Sequence, residues 1–176
     1  MTQVRLADAE ATRAYGRALA GILRAGDLVV LTGDLGAGKT TLTQGIGAGL
    51  GVRGHVVSPT FVIAREHPSL ARSDGSYGPA LVHVDAYRLD SLDDVDALDL
   101  DAGLDEAVTV VEWGEGMVES LAADRLEIAI RRPRGGALTD DDLADAASGE
   151  RVVTVRPVGA RWAGVVLPGA PGPVAG

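Results

Sequence analysis

The chain has 176 residues, a net charge of −9, no cysteine and no asparagine. This length suits one compact domain with its own hydrophobic core, and the missing cysteine excludes disulfides, thiol catalysis and Cys-based metal sites. The acidity argues against a free-standing nucleic-acid binder, and because no apolar run approaches a membrane span we expect a soluble, cytoplasmic protein without membrane contact.

The first predicted elements are a helix and a buried strand. Asp8 is a good N-cap, and the helix that it begins is predicted to reach about Arg24, with Gly26 ending the segment. The apolar stripe of this helix consists of Ala11, Tyr15, Ala18, Leu19 and Ile22. The apolar, β-branched run that follows, residues 28–32, predicts a buried strand.

The only lysine of the chain, Lys39, lies in a glycine-rich loop. Residues 33–41 read Gly-Asp-Leu-Gly-Ala-Gly-Lys-Thr-Thr, which fits the pattern G-x-x-x-x-G-K-[ST] of a phosphate-binding loop. The loop follows the predicted strand, and after it Leu42, Ile46 and Leu50 recur at helical spacing. A strand, a glycine loop and a helix in this order form the context that the motif requires.

The residue types of this loop predict a nucleotide site. Glycines allow close backbone approach, so that successive N–H groups and the helix N-terminus face a polyphosphate. Lys39 reaches the β- and γ-phosphates, and the Thr40 hydroxyl is a candidate Mg²⁺ ligand. The candidate nucleotide-binding residues of the loop are Gly33, Leu35, Gly36, Ala37, Gly38, Lys39, Thr40 and Thr41. Guanine-specific GTPases carry an Asn-Lys-x-Asp segment that this composition excludes, so we predict ATP.

The segment after the loop helix allows two interpretations. Pro59 forces an extended entry into residues 60–65. The hydroxyls of Ser58 and Thr60 either face the nucleotide from a switch-like loop or belong to an ordinary turn. Residues 67–79 are polar and rich in Gly and Pro, which predicts an exposed loop between two strands.

Two further buried strands end in carboxylates. Residues 80–84 lead into Asp85, and residues 108–111 lead into Glu112. Ligands of open α/β sheets bind beyond the carboxyl ends of the strands, so we predict that both carboxylates meet the glycine loop at one Mg–phosphate site. A turn or cap carboxylate is the alternative for each alone. The acidic residues 90–106 predict a short amphipathic helix, either a solvated face or a docking surface for a basic partner.

The C-terminal part predicts two strands and a tail. Residues 125–131 and 151–156 alternate polar and apolar side chains, which favours an antiparallel pair at the sheet edge. Three arginines, Arg131, Arg132 and Arg134, either solubilise a strand end or contact a phosphate or partner. We predict one P-loop ATPase domain over residues 1–157 and a partly disordered Gly/Pro-rich tail over 158–176, with Trp162 near its start.

The fold class expected from these elements is α/β: a three-layer, P-loop NTPase-like mixed sheet with helices on both faces and an antiparallel edge. Four motifs then resemble one family in order and spacing: the glycine loop, Ser58-Pro59-Thr60-Phe61, His83-Val84-Asp85-Ala86-Tyr87-Arg88, and Val111-Glu112-Trp113. Over residues 8–156 the chain resembles the TsaE family, bacterial P-loop ATPases that act in making threonylcarbamoyladenosine on tRNA.

The resemblance implies a function and a set of roles. It implies slow, Mg²⁺-dependent ATP hydrolysis in complex with TsaD and TsaB, which modify the adenosine beside the anticodon, so that tRNA is met only through these partners. Residues 35–40 would hold the phosphates, Thr40 and Glu112 would ligate Mg²⁺, and Asp85 would contact the nucleotide or orient the attacking water. Thr60 would lie in a switch-like loop, and Trp113 would support Glu112.

The candidate catalytic residues are therefore Lys39, Asp85 and Glu112. An unperturbed aspartate is a weak base at neutral pH, so an orienting role for Asp85 is the preferred interpretation. Two alternatives stay open: a small-molecule kinase, and a nucleotide-gated binding module without significant hydrolysis. A kinase usually has an Arg-rich lid, and the polar insertion 66–79 contains only Arg72.

Overall fold

The computed structural model describes residues 1–59, 64–88, 105–114, 116, 118, 122–133 and 149–170. Its elements in chain order are β1 (Thr2–Leu6), α1 (Ala9–Ala20), β2 (Leu28–Thr32), α2 (Lys39–Leu50), β3 (Ala64–His67), β4 (Ala80–Asp85), β5 (Ala107–Glu112), β6 (Arg125–Arg131) and β7 (Arg151–Val158), with two 3₁₀ turns, Ala86–Arg88 and Ala160–Trp162. Within these ranges, no helix has the length and apolar character that a membrane crossing requires.

The seven strands form one mixed sheet in the order β1-β7-β6-β2-β5-β4-β3. The four inner strands β6, β2, β5 and β4 run parallel, while β3, β7 and β1 are antiparallel to their neighbours. The predicted α/β class and the antiparallel pairing of β6 with β7 are confirmed. This pair does not form the edge, however, because β1, which we did not predict, lies beyond β7.

Both described α-helices pack on the same face of the sheet and form the larger core. Its central members are Tyr15, Leu19, Leu42, Ile46, Val29, Leu31, Val110 and Ile128. The helices approach closely at Gly45, where an added Cβ would lie 2.2 Å from the Arg13 carbonyl oxygen. A smaller cluster on the opposite face includes Val30, Val84 and Val111. The helix predicted within residues 90–106 falls largely outside the described residues.

The first helix begins as predicted but ends earlier. The Asp8 carboxylate accepts a hydrogen bond from the Ala11 N–H at 2.8 Å, as an N-cap should. The helix ends at Ala20 rather than near Arg24, because the backbone tightens there: Gly21 N donates to Ala18 O and Ile22 N to Leu19 O. Three-residue spacing of these bonds is typical of a tightened last turn.

The loop predicted over residues 67–79 is only partly correct. His67 is buried, since it is the last residue of β3 and lies opposite Leu81 of β4. Antiparallel pairing with β4 thus carries the strand one residue further than the polar composition suggests. Most of the following residues up to Gly78 are exposed, as expected.

The segment after β7 packs against the domain. Trp162 is buried in the larger core, and the Arg161 guanidinium forms a two-pronged ion pair with Asp27, at 3.0 Å and 2.9 Å. Arg161 also donates to the Ile22 carbonyl at 2.8 Å. The described residues 159–170 are thereby joined to the turn between α1 and β2. The domain boundary at residue 157 and the partial disorder of the tail stay predictions.

Candidate nucleotide site

The glycine loop connects β2 to α2 in a conformation that requires glycine at two positions. Gly33 has a φ of 143°, and a Cβ there would lie 2.3 Å from the Ile130 carbonyl oxygen. Gly38 precedes α2 in the left-handed region, with a φ of 111°, and no side chain caps the helix start. The first N–H groups of α2 are therefore left for an anion.

Lys39 lies folded into this loop. It is 4% exposed, and its Nζ donates to Gly33 O at 2.8 Å and Asp34 O at 3.1 Å. Burial lowers the pKa of Lys39, while the nearby carboxylates of Glu112, Asp85 and Asp34 act to raise it. The ammonium group is thus held at the place where the motif predicts phosphate binding.

The two predicted carboxylates lie side by side at the carboxyl end of the sheet. Asp85 and Glu112 are register partners on β4 and β5. Thr40 Oγ1 donates to Glu112 Oε1 at 3.0 Å, and Ser58 Oγ donates to Asp85 Oδ2 at 3.1 Å. The structure therefore brings Lys39, Thr40, Asp85 and Glu112 together.

These residues line a cavity of about 650 Å³. Its lining comprises Leu35, Gly36, Gly38, Lys39, Thr40, Thr41, Ser58, Asp85, Tyr87, Glu112 and Trp113. Among the other candidates, Gly33 meets Lys39 through its carbonyl and Ala37 is buried in the larger core. Thr60 and Phe61 fall outside the described residues. The cavity thus gathers most of the predicted site.

An aromatic wall completes the cavity. The Trp113 ring centroid lies 3.8 Å from Lys39 Nζ, which is a cation–π contact, and its ring is 5.5 Å from that of Tyr87. Trp113 has a positive φ of 64°, and its N–H donates to Leu31 O at 3.0 Å. Sequence reasoning missed this contact with Lys39. The available signal was that Tyr87 and Trp113 each closely follow a strand that ends in a carboxylate.

A buried histidine, His83, was also missed as a site residue. Its Nε2 lies 2.8 Å from Glu112 Oε1, and its side chain is fully buried. Since alternate residues of a strand share a face, His83 had to point to the same side of the sheet as Asp85. That spacing was the signal in the sequence.

The donor set fits a magnesium ion that arrives with a nucleotide. Among the described residues, no group of three His, Asp or Glu side chains is placed to hold a metal on its own. A hydroxyl and a carboxylate in contact, Thr40 and Glu112, are what Mg²⁺ uses in nucleotide sites, where phosphates and waters supply its remaining oxygens. The residues present therefore agree with the predicted metal.

Comparisons with known proteins identify the same family that the four sequence motifs resemble. The family model described as threonylcarbamoyl adenosine biosynthesis protein TsaE matches residues 6–137. The tRNA threonylcarbamoyladenosine biosynthesis protein TsaE of Streptomyces coelicolor is 59% identical over 86% of this chain and 93% of that protein. Its Bacillus subtilis counterpart is 36% identical over 90% of this chain and 87% of that protein.

A solved structure shows the same fold. The crystal structure of Bacillus subtilis YdiB has a TM-score of 0.63 and 33% sequence identity to this chain, covering 92% of it and 88% of YdiB. This likeness confirms the P-loop NTPase-like α/β fold. Together, the match of the family model and the two relatives show that this chain belongs to the TsaE family.

Proposed function

We propose that this protein binds Mg²⁺-ATP in the described cavity and hydrolyses it slowly to support tRNA threonylcarbamoylation beside the anticodon, acting with TsaD and TsaB. The observation that carries the proposal is the Thr40–Glu112 hydrogen bond of 3.0 Å at the start of α2, beside the buried ammonium of Lys39. This arrangement combines a phosphate-binding loop with a metal-binding carboxylate. The relatives named for tRNA threonylcarbamoyladenosine biosynthesis support the pathway.

Each residue has a role in this scheme. The uncapped N–H groups of α2 and the Lys39 ammonium bind the β- and γ-phosphates. Thr40 and Glu112 would hold the metal, and a magnesium ion there would supply positive charge against the negative charge that develops on the phosphates. Lys39 must exchange the carbonyls of Gly33 and Asp34 for phosphate oxygens when the nucleotide binds.

Asp85 is better suited to orient a water molecule than to accept its proton. Its Oδ2 accepts a hydrogen bond from Ser58, and its Oδ1 accepts one from the Tyr87 N–H at 3.1 Å. Each oxygen thus accepts a hydrogen bond, and together the two bonds fix the plane of the carboxylate. A fixed acceptor at the rim of a phosphate site can align the attacking water with the γ-phosphate.

The side chains that line the cavity support the proposal that hydrolysis is slow. Within the described ranges, no arginine lines it, and Lys39 is its one cationic side chain. Arginine fingers accelerate phosphoryl transfer by stabilising the transition-state charge. A site without one is expected to depend on a partner. The net charge of −9 also supports leaving tRNA binding to the partners.

Reconstitution with TsaD, TsaB and tRNA tests the proposal. We expect multiple-turnover modification that requires this chain and hydrolysable ATP, and that the Glu112→Ala variant loses. If Glu112→Ala leaves modification intact, hydrolysis is dispensable and the binding-module alternative is correct. Incubation with ATP and a panel of hydroxyl acceptors is the second test, because a phosphorylated product would identify a kinase.

A further inference from the structure

Glu112 accepts two hydrogen bonds on the same oxygen. His83 Nε2 lies 2.8 Å from Glu112 Oε1, and Thr40 Oγ1 lies 3.0 Å from it. A carboxylate can only accept, so the hydrogen belongs to His83 Nε2. Among the described residues, no side chain donates to Oε2 of Glu112. The carboxylate is therefore held by one oxygen, which leaves the other for a ligand.

The position of His83 in the sheet makes this contact possible. His83 lies opposite Val110 in the parallel register of β4 and β5, while Glu112 lies opposite Asp85. Glu112 lies two residues beyond Val110 on β5, so it is the diagonal neighbour of His83. Diagonal neighbours on adjacent strands are within reach of a long side chain. His83 is sealed from solvent, so a water molecule does not replace this donor.

The two donors on Oε1 differ in what nucleotide binding does to them. Thr40 lines the cavity and is itself a proposed metal ligand, so its hydroxyl is shared with the metal. His83 is fully buried and is not among the residues that line the cavity. A ligand in the cavity therefore does not compete for its hydrogen bond, which can orient the carboxylate before a metal binds.

A buried imidazole at this position lowers the stability of the fold. His83 Nδ1 is buried and has no hydrogen-bond partner in the structure, and a buried, unsatisfied polar atom destabilises the fold. The residues near it on the same face, Leu81 and Val110, belong to the larger apolar core. An aliphatic side chain would fill this place without that cost, but it would leave Glu112 without its buried donor.

We propose that His83 is a positioning residue for Glu112: its Nε2–H holds Oε1, so that Oε2 faces the metal of the bound nucleotide and Mg²⁺ binds tightly. The inference rests on the proposed function, since it requires that Glu112 ligate Mg²⁺. Groups that orient a metal ligand in this way commonly change metal affinity when they are replaced.

The test is a Mg²⁺ titration of the binding of a fluorescent ATP analogue to the full chain. His83→Leu removes the donor, whereas His83→Gln keeps an N–H near the position of Nε2. We expect His83→Leu to raise the Mg²⁺ concentration for half-saturation by about 10- to 100-fold. Nucleotide affinity in EDTA should stay unchanged, and His83→Gln should restore most of the Mg²⁺ response.

A matched control and a double variant separate positioning from a general structural effect. His67 is another buried histidine, on neighbouring β3, and His67→Leu should leave the Mg²⁺ response unchanged. In a Glu112→Ala background, His83→Leu should have no further effect, because its target is gone. If His83→Leu does not fold by circular dichroism, His83→Gln against His83→Asn decides the question, since the shorter amide does not reach Oε1.

These measurements distinguish a failure of the proposed function from a failure of the inference about His83. If wild-type nucleotide affinity does not respond to Mg²⁺, the proposed function is wrong and the inference falls with it. If wild type responds and folded His83→Leu responds equally, the inference alone is wrong. An equal loss in His83→Leu and His83→Gln, or an additive loss on top of Glu112→Ala, would also overturn it.

Discussion

The packing of α1 against α2 makes Gly45→Ala a sharp test of the fold around the site. Helix propensity alone predicts that alanine stabilises the middle of α2 by about 1 kcal/mol. However, the added Cβ would lie 2.2 Å from the carbonyl oxygen of Arg13 and 2.9 Å from its carbonyl carbon, against ordinary contacts of 3.4–4 Å. These are backbone atoms of the facing helix, so they do not rotate away, and the helices must separate.

The magnitude follows from comparing the two effects. Overpacking of this kind costs about 1–3 kcal/mol, occasionally more, and separation also loosens Leu42 and Ile46 against the sheet. A 2.2 Å approach to a backbone atom places the cost at the upper end, about 3 kcal/mol, so after the propensity gain of about 1 kcal/mol we expect Gly45→Ala to lower the free energy of unfolding by about 2 kcal/mol. At about 2–4 °C per kcal/mol for a chain of this size, the melting temperature should fall by about 4–8 °C.

Urea unfolding followed by circular dichroism measures this change. The matched control is Gly21→Ala, because Gly21 has a right-handed φ of −66° and its nearest neighbour to a new Cβ is 3.3 Å away. We expect the control to change stability by at most about 0.5 kcal/mol. A Gly45→Ala variant as stable as the control would refute the argument that close backbone approach requires glycine here.

Three further predictions follow. Lys39→Ala should weaken ATP binding strongly in isothermal titration calorimetry, and Lys39→Arg should not restore it, because a planar guanidinium does not fit the loop; unchanged affinity in Lys39→Ala would contradict the site. Burial lowers the pKa of Lys39 below its ordinary value of 10.5. ATP affinity should therefore fall as the pH rises through that lowered pKa, because the Lys39 ammonium of the free protein loses its proton and its charge. An ATP affinity that does not change between neutral pH and pH 10.5 would contradict this. Asp27→Ala should destabilise the protein by about 3–5 kcal/mol in urea, since it leaves the largely buried Arg161 without its carboxylate partner. Arg5 forms an exposed ion pair with Glu150, so Arg5→Ala should cost only about 0–1 kcal/mol; equal losses would refute the distinction.

The centre of the fold and most of the candidate site could be predicted because their signals are local. The β2 strand, the loop and α2 are contiguous, and each has a pattern of its own. Asp85 and Glu112 come directly after buried runs, so their meeting at one edge follows from parallel strands.

Other features depend on partners distant in the chain. The strand β1 has only two buried positions, Val4 and Leu6. Its partner β7 lies about 150 residues away in sequence. The short alternating pattern of residues 2–6 is therefore too weak a signal to predict a strand there. The contact of Trp113 with Lys39 depends on a positive φ and on the pairing of β5 with β2, beside which the Trp113 N–H donates to the Leu31 carbonyl. The His83–Glu112 contact depends likewise on register, which pairing in the sheet determines.

The place of β2 in the sheet has a consequence for synthesis on the ribosome. Its two neighbours are β5 and β6, which come much later in the chain. A nascent chain that has emerged only as far as residue 106 contains the glycine loop and both described helices, but neither strand that flanks β2 and no Glu112. The loop therefore acquires its final geometry late, when β5 and β6 add on either side, and a product truncated before them contains the nucleotide motif without the site.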